Sequence, residues 1–141
     1  MIGVFAGELL SVIPLRRASR PVYTQNSHTL AARNLFSLLV GINDYPIAAH
    51  RLTGCRNDAL AFKSYLDNRI DSAEFALRTK ILFDREATRS NIAREFETHL
   101  GKAGPDDVAV FYYSGHGARE KAGEFFAHLE PDGMNETLVC W

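Results

Sequence analysis

The residues best suited to chemistry close an apolar, β-forming run: Val108–Tyr113 leads into Ser114-Gly115-His116-Gly117. Histidine changes its proton near neutral pH, so a general acid/base role is open to His116. Gly115 and Gly117 leave room for a sharp turn and for close approach of another segment. An exposed N–H at Gly117 can in addition donate to a developing oxyanion. A plainer reading stands beside this one: a loop histidine whose ring nitrogens are satisfied locally. The residues alone leave both open.

The surrounding elements decide where that histidine stands. Residues 35–42, LFSLLVGI, form a continuous apolar run ending at Asn43-Asp44-Tyr45-Pro46, the pattern of a strand buried on both faces. Ala59, Phe62, Leu66 and Ile70 then recur at helical spacing, with Asn57 and Asp58 suited to the helix start. Residues 79–86 read as a second strand, and Thr88 as the cap of a helix with the stripe Ile92, Phe96, Leu100. Residues 104–107 form a turn, and 108–113 a third strand that is apolar throughout. Strands without polar alternation, separated by helices, predict an α/β fold with a parallel sheet covered on both faces. Such sheets gather ligands and catalytic groups at the carboxyl ends of their strands, where both residues 41–46 and 114–117 fall.

Composition narrows the classes. The 141 residues carry 46% hydrophobic and 23% charged side chains with a net charge of −1, an ordinary single-domain balance. No Lys/Arg stripe interleaves with aromatics, which argues against a nucleic-acid partner. Two cysteines, Cys55 and Cys140, are too few for a disulfide framework or a zinc site and fit a reducing compartment. Residues 1–33 show no sustained period and read as an extension or linker. Their apolar start carries Glu8, lacks a basic leader and is too short to span a membrane. A cytoplasmic protein without membrane contact is the expectation.

Four stretches, LLVGINDYP (38–46), LTGCRNDALAF (52–62), ILFDREATRSNI (81–92) and DDVAVFYYSGHG (106–117), occur in register on strand and helix ends. Together they resemble the N-terminal, histidine-bearing part of a caspase-like cysteine peptidase, closest to the metacaspase branch. The resemblance covers roughly residues 35–141. It implies a three-layer α/β/α fold with a mainly parallel sheet in flavodoxin-like strand order, incomplete in residues 34–141. It implies that His116 pairs with a cysteine thiolate and returns a proton to the leaving amine, with Gly117 as the oxyanion donor. It also implies a pocket for the residue before the cut lined by Cys55, Asp58 and Ser114, whose acid would accept Arg or Lys. Each has a plainer reading: Asp58 can serve its helix's N-terminal dipole, and Cys55 can be a small buried filler. Arg56 falls off the motif positions and reads as structural.

The resemblance places the nucleophilic cysteine about 50 residues after the histidine, whereas 25 residues follow His116 here. Cys140, in an apolar setting without a glycine-bearing segment after it, reads as structural. The expected partners are therefore a peptide or protein substrate and a segment or subunit carrying the catalytic cysteine. The 141 residues alone are expected to be inactive and to self-associate through the open side of the third strand. No cofactor is expected; calcium is raised only by Asp132 and Glu136, and a polar turn leading into a strand is the favoured reading of that stretch. The competing function is a non-catalytic caspase-like module acting by protein–protein association. A phosphate-binding domain is disfavoured, because no glycine-rich phosphate loop follows the first strand.

Overall fold

The computed structural model describes residues 33–123 and 132–141. The extension expected over residues 1–33 lies outside them except for Arg33, where the first strand begins. Strand β1 (Arg33–Gly41) is the apolar run, and its last seven residues are buried. It sits in the middle of a three-stranded parallel sheet of order β2-β1-β3, with β2 at Phe75–Phe83 and β3 at Val108–Ser114. This is the α/β architecture and strand order expected. The register aligns the strand ends: Gly41 lies opposite Phe83 on one side and Ser114 on the other.

Alternation along β1 divides its side chains between two faces. Phe36, Leu38, Val40 and Ile42 pack with Leu82, Ile92 and Leu100 in one hydrophobic cluster, which places helix α2 (Arg89–Thr98) over that face. Thr88 caps α2 as expected, accepting the Asn91 N–H at 3.2 Å. Of the expected stripe, Ile92 is buried on α2, while Leu100 is buried in the short turn that follows it. Phe96 is half exposed and meets Phe111 of β3 at a tilt of 53°, with centroids 4.8 Å apart.

Helix α1 (Cys55–Arg69) covers the other face. Its Phe62 stacks on Tyr112 of β3 at 4.6 Å and an interplanar angle of 13°. At its start, a Cβ on Gly41 would stand 2.7 Å from the Cys55 carbonyl oxygen, so glycine there lets the helix backbone settle directly on the strand.

Two expectations need correction. The second strand begins at Phe75 and ends at Phe83, earlier than residues 79–86, because Asp84 turns left-handed at φ 45° and residues 84–86 form a tight turn. That strand is not uniformly apolar either: Arg78 and Lys80 are exposed between partly buried neighbours, as suits a strand that pairs, among the described residues, with β1 alone. A hairpin of β4 (Gly117–Lys121) and β5 (Met134–Leu138) follows β3, antiparallel and separate from the main sheet. β5 matches the strand expected after the polar turn, whereas β4 was unanticipated. Among the described residues β3 pairs with β1 alone.

Candidate active site

The carboxyl ends of β1 and β3 lie side by side, joined by the Ile42 N–H donating to the Ser114 carbonyl at 3.0 Å. From there β1 runs into the loop 42–54 and β3 into His116. The loop is tied down by Asp84. One carboxylate oxygen accepts the N–H groups of Asn43 and Asp44 at 2.8 and 2.9 Å, and the other accepts Arg56 at 3.1 Å. Arg56 also lies over the Phe83 ring. It is thus committed to the scaffold, as its place outside the motif suggested. Asp84 carries little signal in the sequence beyond being an acid that ends an apolar run.

His116 is partly buried, and among the described residues its ring makes one hydrogen bond: Nε2 lies 2.7 Å from the carbonyl oxygen of His50. A carbonyl only accepts, so Nε2 carries the proton, and in the neutral ring Nδ1 keeps its lone pair. The Tyr45 ring packs against the imidazole at 4.8 Å, and the His50 ring stands edge-on at 6.0 Å.

Gly115 is required by its surroundings. A Cβ there would stand 2.7 Å from the Tyr45 hydroxyl and overlap that of Tyr113. Gly117 is different: its missing Cβ would meet only the Thr137 carbonyl at 3.8 Å, so packing makes no demand for glycine. Its N–H lies outside the hairpin's own ladder. His116 with Val139 and Ala122 with Gly133 bond across the hairpin, so Gly117 opposite Leu138 is a non-bonded pair whose N–H points out of the hairpin.

Cys55 and Asp58 stand in the first turn of α1, with Cys55 buried and Asp58 exposed. Gly54, not Asp58, occupies the N-cap, and the Asp58 carboxylate accepts the Ser114 hydroxyl at 3.1 Å. The acid and the serine from two distant segments therefore meet beside the strand ends, two residues from the histidine. Neither thiol hydrogen-bonds the His116 ring. Cys140 is half buried after β5, and burial pushes its thiol above the ordinary range.

Asp132 and Glu136 lie across the hairpin from Arg119. Asp132 bonds its guanidinium, and Glu136 meets it at 3.0 Å. The Met134 N–H, and to a smaller degree Arg119, hold the Asp132 carboxyl below its ordinary range. Among the described residues no three His, Cys, Asp or Glu side chains are grouped to hold a metal ion. Among the described residues no helix is long and apolar enough to cross a membrane.

A family model described as metacaspase, peptidase C14 domain, matches residues 37–141. Metacaspase-1 of Plasmodium falciparum is 34% identical over 109 residues, covering 73% of this chain and 17% of the relative. Metacaspase-2 of Trypanosoma brucei brucei is 33% identical over 103 residues, covering 66% and 28%. Metacaspase-1 of Schizosaccharomyces pombe is 32% identical over 108 residues, covering 72% and 24%. The chain thus spans 17–28% of the length of these relatives.

Proposed function

The chain belongs to the metacaspase family of caspase-like cysteine peptidases, and on that premise we propose that it supplies the histidine half of a His/Cys dyad that cuts peptide bonds after Arg or Lys. The observation that carries this reading is the 2.7 Å contact of His116 Nε2 with the His50 carbonyl. It fixes the tautomer in which Nδ1 is the free base, held in a loop at the carboxyl edge of a parallel sheet.

The thiol belongs to a cysteine outside these 141 residues, because Cys55 is buried under β1 and burial disfavours the Cys140 thiolate. Nδ1 takes the thiol proton, and the resulting thiolate adds to the scissile carbonyl carbon. The outward N–H of Gly117 donates to the oxyanion formed. Collapse breaks the C–N bond as the imidazolium proton passes to the leaving amine. Water, deprotonated by the same nitrogen, then releases the acyl group and restores the thiol.

Selection follows from Asp58. Its exposed carboxylate, oriented by Ser114 at 3.1 Å and set in the first turn of α1 beside Cys55, offers an anionic seat to a cationic side chain.

The test uses the complete protein, with the cysteine-bearing segment present, on matched peptides carrying Arg, Lys or Asp before the cut. His116→Ala should lower turnover by roughly 10²–10⁴-fold, and Asp58→Ala should weaken Arg and Lys substrates selectively. Turnover unchanged in His116→Ala refutes the role given to the histidine and favours an association module.

A further inference from the structure

Two tyrosines lie beneath the histidine loop, and the mechanism above leaves them without a task. Tyr45 comes from the loop after β1 and is 3% exposed; Tyr113 is the penultimate residue of β3 and partly buried. Their hydroxyls meet at 3.2 Å. Around that pair converge the peptide groups of two other segments. The His116 N–H donates to the Tyr45 hydroxyl at 2.9 Å, and Tyr45 donates to the Val139 carbonyl at 3.0 Å. The Tyr113 hydroxyl lies 2.7 Å from the same Val139 oxygen and 3.0 Å from the His116 oxygen. The Val139 N–H closes the ring by donating to the His116 carbonyl at 2.9 Å.

Both peptide groups of His116 are therefore held, the N–H by Tyr45 and the C=O by the Val139 N–H, with the single Tyr113 proton shared between the Val139 and His116 oxygens. Glycine at residue 115 is what lets the chain pass this close, since any side chain there would strike the two hydroxyls. Burial raises both phenols above their ordinary range, so both remain protonated donors at neutral pH. Tyr45 does a second thing: its ring packs against the imidazole at 4.8 Å. One side chain thus fixes the backbone and the ring of the same residue.

The far end of the network is tethered too. Two residues beyond Val139, the Trp141 N–H donates to Ala87 at 3.0 Å and its indole N–H to the Asp44 carbonyl at 2.7 Å. Residues 139–141 run across the loops after β1, β2 and β3 and bond to each.

We infer that the Tyr45–Tyr113 hydroxyl pair is the positioning device of His116, clamping its backbone to the Val139–Trp141 strap so that the strap's placement sets the placement of the imidazole. The two tyrosines are positioning residues: they touch the histidine and not the scissile bond. The clamp stands on geometry alone; only its kinetic consequence rests on the peptidase reading.

The experiment takes Tyr45→Phe and Tyr113→Phe in the complete protein, with the exposed Tyr65→Phe as control. Hydrogen exchange of the His116 and Val139 amides is followed beside global unfolding. Removing the Tyr45 hydroxyl should speed exchange at His116 by about tenfold or more, with amides in β1 and α2 unchanged. Turnover should fall by roughly 10- to 100-fold at constant KM. Wild-type exchange at His116 in Tyr45→Phe overturns the clamp, as does a uniform rise across all amides, which marks a merely structural loss. If His116→Ala has no effect on turnover, the peptidase reading fails while the exchange data still decide the clamp.

Discussion

Gly41 gives the sharpest quantitative handle on how the scaffold reaches the site. Replacing it with alanine puts a methyl group 2.7 Å from the Cys55 oxygen, 3.0 Å from the Arg56 Cα and 3.1 Å from the Cys55 carbonyl carbon. All three are backbone atoms, so no rotamer change relieves the clash. To restore ordinary contact the start of α1 must withdraw by about 0.5–1 Å. Overpacking of this kind costs roughly 1–3 kcal/mol, against about 0.5–1 kcal/mol regained from placing Ala in a strand. The difference, a net loss of up to about 2.5 kcal/mol, lowers the melting temperature of a protein longer than about 150 residues by roughly 2–4 °C per kcal/mol. The same withdrawal carries Asp58 away from Ser114 and opens their 3.1 Å bond, so the preference for Arg and Lys should weaken as well. Thermal unfolding and substrate selection in the complete protein are the two assays. An unchanged melting temperature refutes the close-approach argument. A lowered one with undiminished selection refutes the link from helix seat to pocket.

Two further outcomes follow from carboxylates that hold backbone. Asp84→Ala frees the N–H groups of Asn43 and Asp44 and should cost about 2–4 kcal/mol; Asp84→Asn keeps an acceptor oxygen and tolerates φ 45°, so it should lose about 1 kcal/mol or less through Arg56. Denaturant titration of the two variants separates the roles, and equal losses would contradict this account. Asp107 is held below its ordinary 3.8 by the N–H groups of Gly104 and Asn34. Its folded pKa is the depressed one, so its stabilisation is complete above pH 3.8 and disappears as pH falls through the folded value. Unfolding curves between pH 5 and pH 2 should therefore show a shallower acid limb in Asp107→Asn, and an identical limb would refute the assignment.

The parts legible in the sequence are those whose environment is uniform along the chain. β1 is buried on both faces, and its apolar run says so residue by residue; Thr88 announces α2 because an N-cap is a local device. β2 is misplaced toward the C-terminus because its first half mixes apolar residues with Arg78 and Lys80, and because its end at Phe83, three residues before the expected limit, is set by the left-handed Asp84. β4 was invisible, since all five of its residues are exposed and carry no pattern. The tyrosine clamp was unread for another reason. Tyr45 and Tyr113 look like core aromatics in apolar company, and their hydroxyls meet only after three separate segments converge. Asp58 and Ser114 could be paired beforehand through family resemblance alone, since nothing local links residues so far apart in the chain.

The central step is the generation of a thiolate by His116, and the pH dependence of thiol alkylation in the complete protein measures it directly. A cysteine paired with His116 should react with iodoacetamide with an inflection well below 8, and His116→Ala should return that inflection to about 8.5, the value of a free thiol. The same inflection in both proteins would contradict the pairing.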